Sequence, residues 1–154
     1  MSPRRALVLA AAVLAAAPLA ACGSSRARML VGEISQAVQT SGRIELGKLY
    51  PAPWDVVCVF LPGTTRAQAR AMLGFDYAAA PYLVARDDVA GLVFVQHDKV
   101  LTAVRYPRSA GDFAAPGRSY CLPRSGAVFL VRPNARAVGG REVVPADAAA
   151  SALP

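Results

Sequence analysis

The stretch "GLVFVQHDKVLTAVRYPR", residues 91–108, contains the clearest strand-pairing signal in the chain. Two runs rich in β-branched and aromatic residues, 92–96 and 99–106, are separated only by His97 and Asp98. Two such runs joined by a pair of turn residues are typical of a β-hairpin. We therefore predict an antiparallel hairpin whose tip is formed by His97 and Asp98.

A second strand is predicted before the hairpin, in "WDVVCVF", residues 54–60. Strict alternation places Trp54 and Cys58 on one face of this strand, and Val57 and Val59 on the other. Because both faces are apolar, the pattern favours a central strand that is covered on both sides. The same alternation predicts that Cys58 points in the same direction as Trp54.

Two helices are predicted around these strands. In "LPGTTRAQARAMLG", residues 61–74, a Pro-Gly turn is followed by Thr64 or Thr65 as an N-cap and by Gly74 as a stop signal. Earlier in the chain, apolar residues recur at helical spacing over residues 27–39.

The predicted elements between residues 29 and 133 form one domain. Their order is helix, strand, helix, hairpin and a last strand over 127–132. This order favours an α+β fold, a small antiparallel sheet with one or two helices packed on one face. Residues 134–154 are small, polar or rich in Gly and Pro without a lasting period, so we predict a disordered tail there.

The first residues of the chain have the layout of a secretory signal peptide, which we assign to residues 1–21. Arg4 and Arg5 precede an apolar, alanine-rich run, and small residues close it. The alternative is a single membrane-spanning anchor. However, Pro18 interrupts the run, which is shorter than the roughly 20 apolar residues that a bilayer crossing needs.

The segment "LAAC", residues 19–22, resembles the lipobox of bacterial lipoproteins. The resemblance implies cleavage before Cys22, acylation of that residue with palmitate and other acyl chains, and a tether over residues 22–28. It also implies a lipid anchor in the bacterial cell envelope. Gly23 after the cysteine implies the outer membrane, facing the periplasm, in a host that has one. Ordinary signal-peptidase cleavage is the alternative.

The central region also resembles a group of small bacterial lipoproteins without an assigned function. The similarity covers "WDVVCVFLPGTTRAQARAMLG" at 54–74, "LVFVQHDKVLTAVRYPR" at 92–108 and a later cysteine. More loosely, "GTTRAQARAMLG" at 63–74 is similar to a helix of small outer-membrane assembly lipoproteins. Those proteins have a β-lactamase-inhibitor-like α+β fold. Both resemblances imply a small α+β lipoprotein.

With Cys22 assigned to lipid, the other two cysteines, Cys58 and Cys121, are left as a pair. Export places them in an oxidising compartment, which favours a disulfide between them. Closing a loop of about 60 residues stabilises a fold by roughly 4 kcal/mol. Two free thiols or a metal site are the alternatives. No metal site is predicted, because neither cysteine has a second ligand nearby and His97 is the sole histidine.

The charge of the chain bears on its partners. The chain has 17 Lys and Arg residues against 10 Asp and Glu, and loss of Arg4 and Arg5 with the signal leaves 15 against 10, a formal charge of +5. A basic protein is attracted to the anionic lipid surface that its own lipid would contact. The arginines are scattered and not clustered with aromatic residues, so nucleic acid is not predicted as a partner.

Catalytic chemistry has little support in the sequence. The nucleophile motif G-x-S-x-G is absent, and His97 lies at a predicted hairpin tip without a convincing nucleophile. We therefore predict neither catalytic residues nor a cofactor. The aromatic residues either line a ligand groove or cover a small core: Trp54, Tyr50, Tyr77, Tyr82, Tyr106 and Tyr120.

The sequence thus predicts a non-enzymatic, lipid-anchored binding or assembly module of the cell envelope. Its expected partner is an envelope protein or an anionic envelope component. Candidate contact residues are Trp54, Arg105, Tyr106 and Arg108. One alternative is an inhibitor of an envelope-directed enzyme such as lysozyme, although two cationic proteins would repel each other. A periplasmic enzyme is the other.

Overall fold

The computed structural model describes residues 21–114 and 116–147, and side chains from residue 25 onward. The predicted signal peptide, apart from Ala21, lies outside the described residues. So does the end of the predicted tail, residues 148–154.

The described chain forms a mixed α+β domain built on two antiparallel sheets, so the predicted fold class is confirmed. The helices are α1 (Ala21–Thr40), α2 (Leu46–Leu49), α3 (Arg66–Leu73) and α4 (Ala80–Leu83). The strands are β1 (Arg43–Glu45), β2 (Val56–Phe60), β3 (Val89–Gln96), β4 (Lys99–Pro107), β5 (Tyr120–Pro123), β6 (Val128–Pro133) and β7 (Arg141–Pro145). None of the helices in the described ranges has the length and hydropathy needed to span a bilayer.

The larger sheet has the strand order β4-β3-β2-β5. The predicted hairpin is confirmed as β3 and β4, with Gln96 paired to Lys99 across a two-residue turn. His97 in that turn has a φ of 53°. The predicted central position of β2 is also confirmed, because β2 pairs with β3 on one side and β5 on the other. Strand β5 was not among the strands predicted from the sequence.

The two faces of this sheet carry separate apolar clusters. The larger cluster packs α1 and the second sheet, of order β1-β6-β7, against residues that include Val57 and Val59. The smaller cluster packs α3 and α4 on the opposite face, against residues that include Cys58. Helices α3 and α4 therefore cover one face of the sheet, and α1 covers the other.

The predicted common direction of Trp54 and Cys58 is wrong. Trp54 belongs to the larger cluster, together with Val57 and Val59, whereas Cys58 belongs to the smaller one. The reason is local, since β2 begins only at Val56 and Trp54 lies in irregular backbone before it. Strand alternation consequently does not extend back to Trp54.

The predicted helix at 61–74 is confirmed as α3. The Thr65 side chain accepts a hydrogen bond from the backbone N–H of Gln68, whose side chain accepts one from the backbone N–H of Thr65. This reciprocal pair satisfies two of the free donors at the start of a helix. Gly74 ends the helix in the left-handed conformation, with a φ of 81°.

The predicted tether at residues 22–28 is wrong, because α1 already begins at Ala21 and continues without interruption to Thr40. The residues of this segment include good helix formers such as Arg26 and Ala27. Ala27 also packs against the larger cluster, so the segment is part of the domain.

The predicted disordered tail from residue 134 is wrong over its described part. Strand β7 pairs antiparallel with β6 over five residue pairs, and Val143 is fully buried. Gly139 and Gly140, with φ angles of 78° and 75°, turn the chain back from β6. The pairing partner lies on another strand, so the composition of the segment alone did not indicate it.

Candidate functional site

The predicted disulfide is confirmed. Cys58 and Cys121 are joined with an S–S distance of 2.00 Å and a Cα–Cα distance of 4.0 Å. They lie directly opposite each other in the antiparallel register of β2 and β5. The bond therefore clamps the short edge strand β5 to the centre of the sheet.

Two of the four predicted contact residues are in the core and unavailable to a partner, which corrects that expectation. Trp54 is 1% exposed, and its Nε1–H donates to the Tyr50 carbonyl oxygen at 2.8 Å. Tyr106 is fully buried, and the Ser35 hydroxyl donates to its hydroxyl oxygen at 3.3 Å. Burial raises the pKa of Tyr106, against the smaller opposing effect of Ser35. Both rings stabilise the fold.

A third predicted contact residue, Arg108, is engaged inside the domain. Its guanidinium donates Nε–H and Nη2–H to the two carboxylate oxygens of Asp112, at 2.9 and 3.0 Å. Its Nη1–H donates to the Asp87 carbonyl oxygen at 2.8 Å. Because all three guanidinium nitrogens of Arg108 donate to acceptors within the chain, Arg108 is a structural residue.

The fourth, Arg105, lies at the surface beside α4. Its Nη2–H donates to the backbone carbonyl oxygen of Tyr82, and the Tyr82 side chain is 73% exposed. Arg66 lines a groove together with Pro81, the residue before Tyr82. The pKa of Arg66 is raised by hydrogen bonding to Asp76, with a smaller electrostatic contribution from Tyr82. We name Tyr82, Arg105 and Arg66 the Tyr82 patch.

The position of the Tyr82 patch depends on a glycine under α4. A Cβ at Gly91 of β3 would lie 2.6 Å from Leu83 Cδ2 and 3.1 Å from Val84 Cγ1. Because residue 91 is glycine, α4 can pack directly onto the sheet. Ala80 and Val84 are buried in this contact, so Tyr82 projects from a helical turn that is held on its inner side.

A groove adjoins the Tyr82 patch between the start of α3 and α4. It encloses about 460 Å³ and shares Arg66 with the patch. The other residues that line it combine small, hydroxyl and acidic side chains: Gly63, Thr64, Thr65, Pro81, Val84, Ala85 and Asp87. The Tyr82 patch and this groove together present an exposed aromatic ring, guanidinium donors and hydroxyl groups.

His97 lies exposed at the tip of the hairpin. His97 is 84% exposed, and its backbone N–H donates to Asp55 Oδ2 at 2.7 Å. The shallow groove beside it is lined by Gln96, His97, Lys99, Val100 and Leu101, which include no hydroxyl or thiol nucleophile. Among the residues that the structure describes, no three His, Cys, Asp or Glu side chains are grouped to hold a metal ion.

Tyr82 is an exposed aromatic residue that sequence reasoning did not single out. The sequence placed it only in a set of six aromatic residues, of which Trp54, Tyr50 and Tyr106 are buried. A local signal does exist, because Pro81 lies in the first turn of the short helix Ala80–Leu83, and Ala80 and Val84 lie on the inner side. Tyr82 lies between these positions and therefore points outward.

Comparison with protein-family models, with curated proteins and with solved structures found no match for this chain.

Proposed function

We propose that this protein is a lipid-anchored, non-enzymatic binding module of the bacterial cell envelope. Its Tyr82 patch binds an envelope protein or an anionic envelope component. The observation that carries the proposal is that the exposed residue Tyr82 is joined to the surface residue Arg105, whose guanidinium donates to the Tyr82 backbone carbonyl oxygen.

The composition of the Tyr82 patch supports a binding role. Tyrosine and arginine are enriched among the few residues that dominate binding free energies at protein interfaces. Arg105 makes a hydrogen bond to a carbonyl oxygen but no ion pair with a described residue. Its remaining N–H groups can therefore donate to a carboxylate or phosphate of a partner in the bidentate geometry that guanidinium favours.

The fixed position of the patch supports the same role. The turn that carries Tyr82 is packed on Gly91, and Arg105 belongs to strand β4. Side chains on packed elements lose less conformational entropy on binding than side chains on mobile loops. Little conformational entropy is therefore lost when this residue binds a partner.

Anchoring in the envelope is supported by two independent features of the chain. The segment before Cys22 combines a signal-peptide layout with a lipobox resemblance. A disulfide between the other two cysteines is what an oxidising compartment permits and the cytosol disfavours. Where the host has an outer membrane, the proposed location is its periplasmic face.

Anchoring is tested by metabolic labelling with radioactive palmitate in a bacterial host. The wild-type chain should take up label, and Cys22→Ala should take up none. The matched control is the double variant Cys58→Ala with Cys121→Ala, which retains Cys22 and should still be labelled. An unlabelled wild-type chain in the membrane fraction would refute the anchor.

Binding is tested by chemical crosslinking in intact cells, followed by recovery of the protein and identification of its partner. Arg105→Glu and Tyr82→Ala should each reduce the crosslinked partner by about ten-fold or more, in line with losses at interface hot spots. Arg132→Glu removes another exposed arginine, from β6, and should leave capture unchanged. Equal capture by all variants would refute the role of the patch. An enzymatic activity that the wild-type protein shows and His97→Ala lacks would refute the non-enzymatic assignment.

A further inference from the structure

Helix α1 connects the proposed lipid site rigidly to the domain. The helix begins at Ala21, one residue before Cys22, and continues to Thr40. Leu30, Ile34 and Val38 on this helix are buried in the larger apolar cluster. At about 1.5 Å per residue, Met29 lies roughly 10 Å along the axis from position 22, and Val38 roughly 24 Å. A lipid at Cys22 would therefore hold one particular end of the domain near the membrane.

The surface at that end is both apolar and basic. Met29 is 61% exposed, although most large apolar side chains of the domain are buried. It lines a groove of about 750 Å³ together with Leu49 and Pro51. Arg26 lines the same groove, with its guanidinium carbon 5.6 Å from the centre of the Tyr50 ring.

The helix also brings these groups to the side of the proposed lipid site. Positions 26 and 29 follow position 22 by four and seven residues, a spacing that places positions on one helix face. Arg28, on an adjacent part of the same turn, is exposed as well. We name Arg26, Arg28, Met29, Leu49 and Pro51 the basal surface.

We propose that the basal surface lies against the headgroup layer of the membrane that holds the Cys22 lipid. Arg26 and Arg28 contact the phosphates of anionic phospholipids, and Met29 enters the boundary between headgroups and acyl chains. This proposal rests on the lipid anchor proposed above and adds the face, the orientation and the lipid chemistry.

Position and charge favour a bilayer as the occupant of the basal surface. A short distance along a continuous helix separates the surface from the lipidated residue, so the bilayer is its nearest neighbour. Each basic residue near an anionic membrane strengthens binding by about five-fold. Glu33 also lines the groove but is farther along α1 from position 22, which places the basic end nearest the membrane.

The opposite end of α1 then faces away from the bilayer. Arg141 Nη1–H donates to the Val38 carbonyl oxygen at 3.3 Å, which places the start of β7 at the C-terminal end of the helix. Val138, which precedes β7 by three residues, is 38% exposed. Positions 29 and 138 are thus matched probes, both apolar and exposed, at opposite ends of α1.

The orientation is tested with the full lipidated protein in vesicles of phosphatidylcholine and phosphatidylglycerol. Met29 and Val138 are replaced, in separate samples, by an environment-sensitive fluorescent amino acid. We expect a blue-shifted emission at position 29, with quenching by phospholipid that carries a spin label near the headgroup, and neither effect at position 138. Equal quenching at the two positions would overturn the orientation.

The role of charge is tested in the same vesicles. Arg26→Glu with Arg28→Glu should reduce quenching at position 29 several-fold, whereas the control Arg132→Glu with Arg136→Glu should not. In vesicles of phosphatidylcholine alone the two pairs should behave alike. Equal quenching by both pairs in the anionic vesicles would overturn the contact with anionic headgroups.

Flotation of the vesicles separates the two proposals. Protein that floats with the vesicles but is quenched equally at both positions refutes only the orientation. Protein that fails to float refutes the lipid anchor and the orientation with it. Photocrosslinking from position 29 in intact cells should yield phospholipid adducts, and a protein adduct in their place would overturn the bilayer as occupant.

Discussion

Arg108 and Asp112 form a bidentate ion pair that joins the end of β4 to the second sheet. Their side chains are 20% and 8% exposed, and the two N···O distances are 2.9 and 3.0 Å. Asp112 also accepts hydrogen bonds from the backbone N–H groups of Ala114 and Val138. The N–H of Val143 in β7 donates to the Asp112 carbonyl oxygen at 2.8 Å. A single aspartate thus links a loop, a turn and a strand.

Replacement of Arg108 should destabilise the fold. In Arg108→Gln, the buried Asp112 carboxylate loses its charged donors and keeps only the backbone N–H groups of Ala114 and Val138, a loss that costs about 1–3 kcal/mol. Urea unfolding should show this loss in the free energy of unfolding. Arg86→Gln, which breaks an exposed pair with Asp88, should cost less than about 1 kcal/mol. Equal losses in the two variants would contradict the structural role of Arg108.

The stability of the domain should fall in acid partly because of Asp112. Burial alone would raise the pKa of this carboxyl, but hydrogen bonds from Arg108, Ala114 and Val138 outweigh burial and hold the pKa below its ordinary value. A carboxyl whose pKa is lower in the folded than in the unfolded state stabilises the fold at pH values above its unfolded pKa of about 3.9. This stabilisation is lost as the pH falls towards the folded pKa.

Urea unfolding at pH 7 and pH 3 measures this contribution. Asp112→Asn should be less stable at pH 7 and should lose less stability between the two pH values than the wild type. Asp98→Asn, at the exposed hairpin turn, serves as control and should keep the wild-type loss. An identical loss in Asp112→Asn and in the wild type would show that Asp112 does not contribute.

Removal of the disulfide should lower stability strongly. The bond joins residues 63 positions apart, and the entropy of closing a loop of this length corresponds to about 4 kcal/mol. Cys58→Ala with Cys121→Ala should therefore unfold at a much lower urea concentration, as should the reduced wild type. An unchanged midpoint after complete reduction would contradict this prediction. Cys22→Ala, which leaves the bond intact, should keep the oxidised midpoint.

Two adjacent glycines test the packing of the last strand. Both have positive φ, so alanine at either position costs roughly 1–2 kcal/mol of backbone strain. At Gly139 a Cβ would also lie 2.1 Å from the Ser109 carbonyl oxygen, whereas at Gly140 nothing lies within 4 Å. Thermal unfolding should show a clearly lower Tm for Gly139→Ala than for Gly140→Ala. Equal Tm values would mean that the turn before β7 does not pack on Ser109.

The candidate site shows what sequence reasoning can and cannot identify. Arg105 was named from sequence and is exposed, but Trp54 and Tyr106, named with it, are buried. Aromatic residues suit a core as well as an interface, so their identity alone does not distinguish the two. The outward direction of Tyr82 agrees with the spacing of Ala80 and Val84, but the packing of α4 on Gly91 decides which side of the turn is covered.

The sequence by itself determined the elements whose information is local. The β3–β4 hairpin follows from two apolar runs around a two-residue turn, and α3 follows from its capping threonine and terminal Gly74. The pairing of Cys58 with Cys121 followed from the cysteine count once Cys22 was set aside. Only the tertiary structure decided the placement of β5 and β7, because each strand exists through hydrogen bonds to distant partners. It also decided that α1 continues from Ala21 into the domain without a break, because Leu30, Ile34 and Val38 pack this helix into the larger apolar cluster.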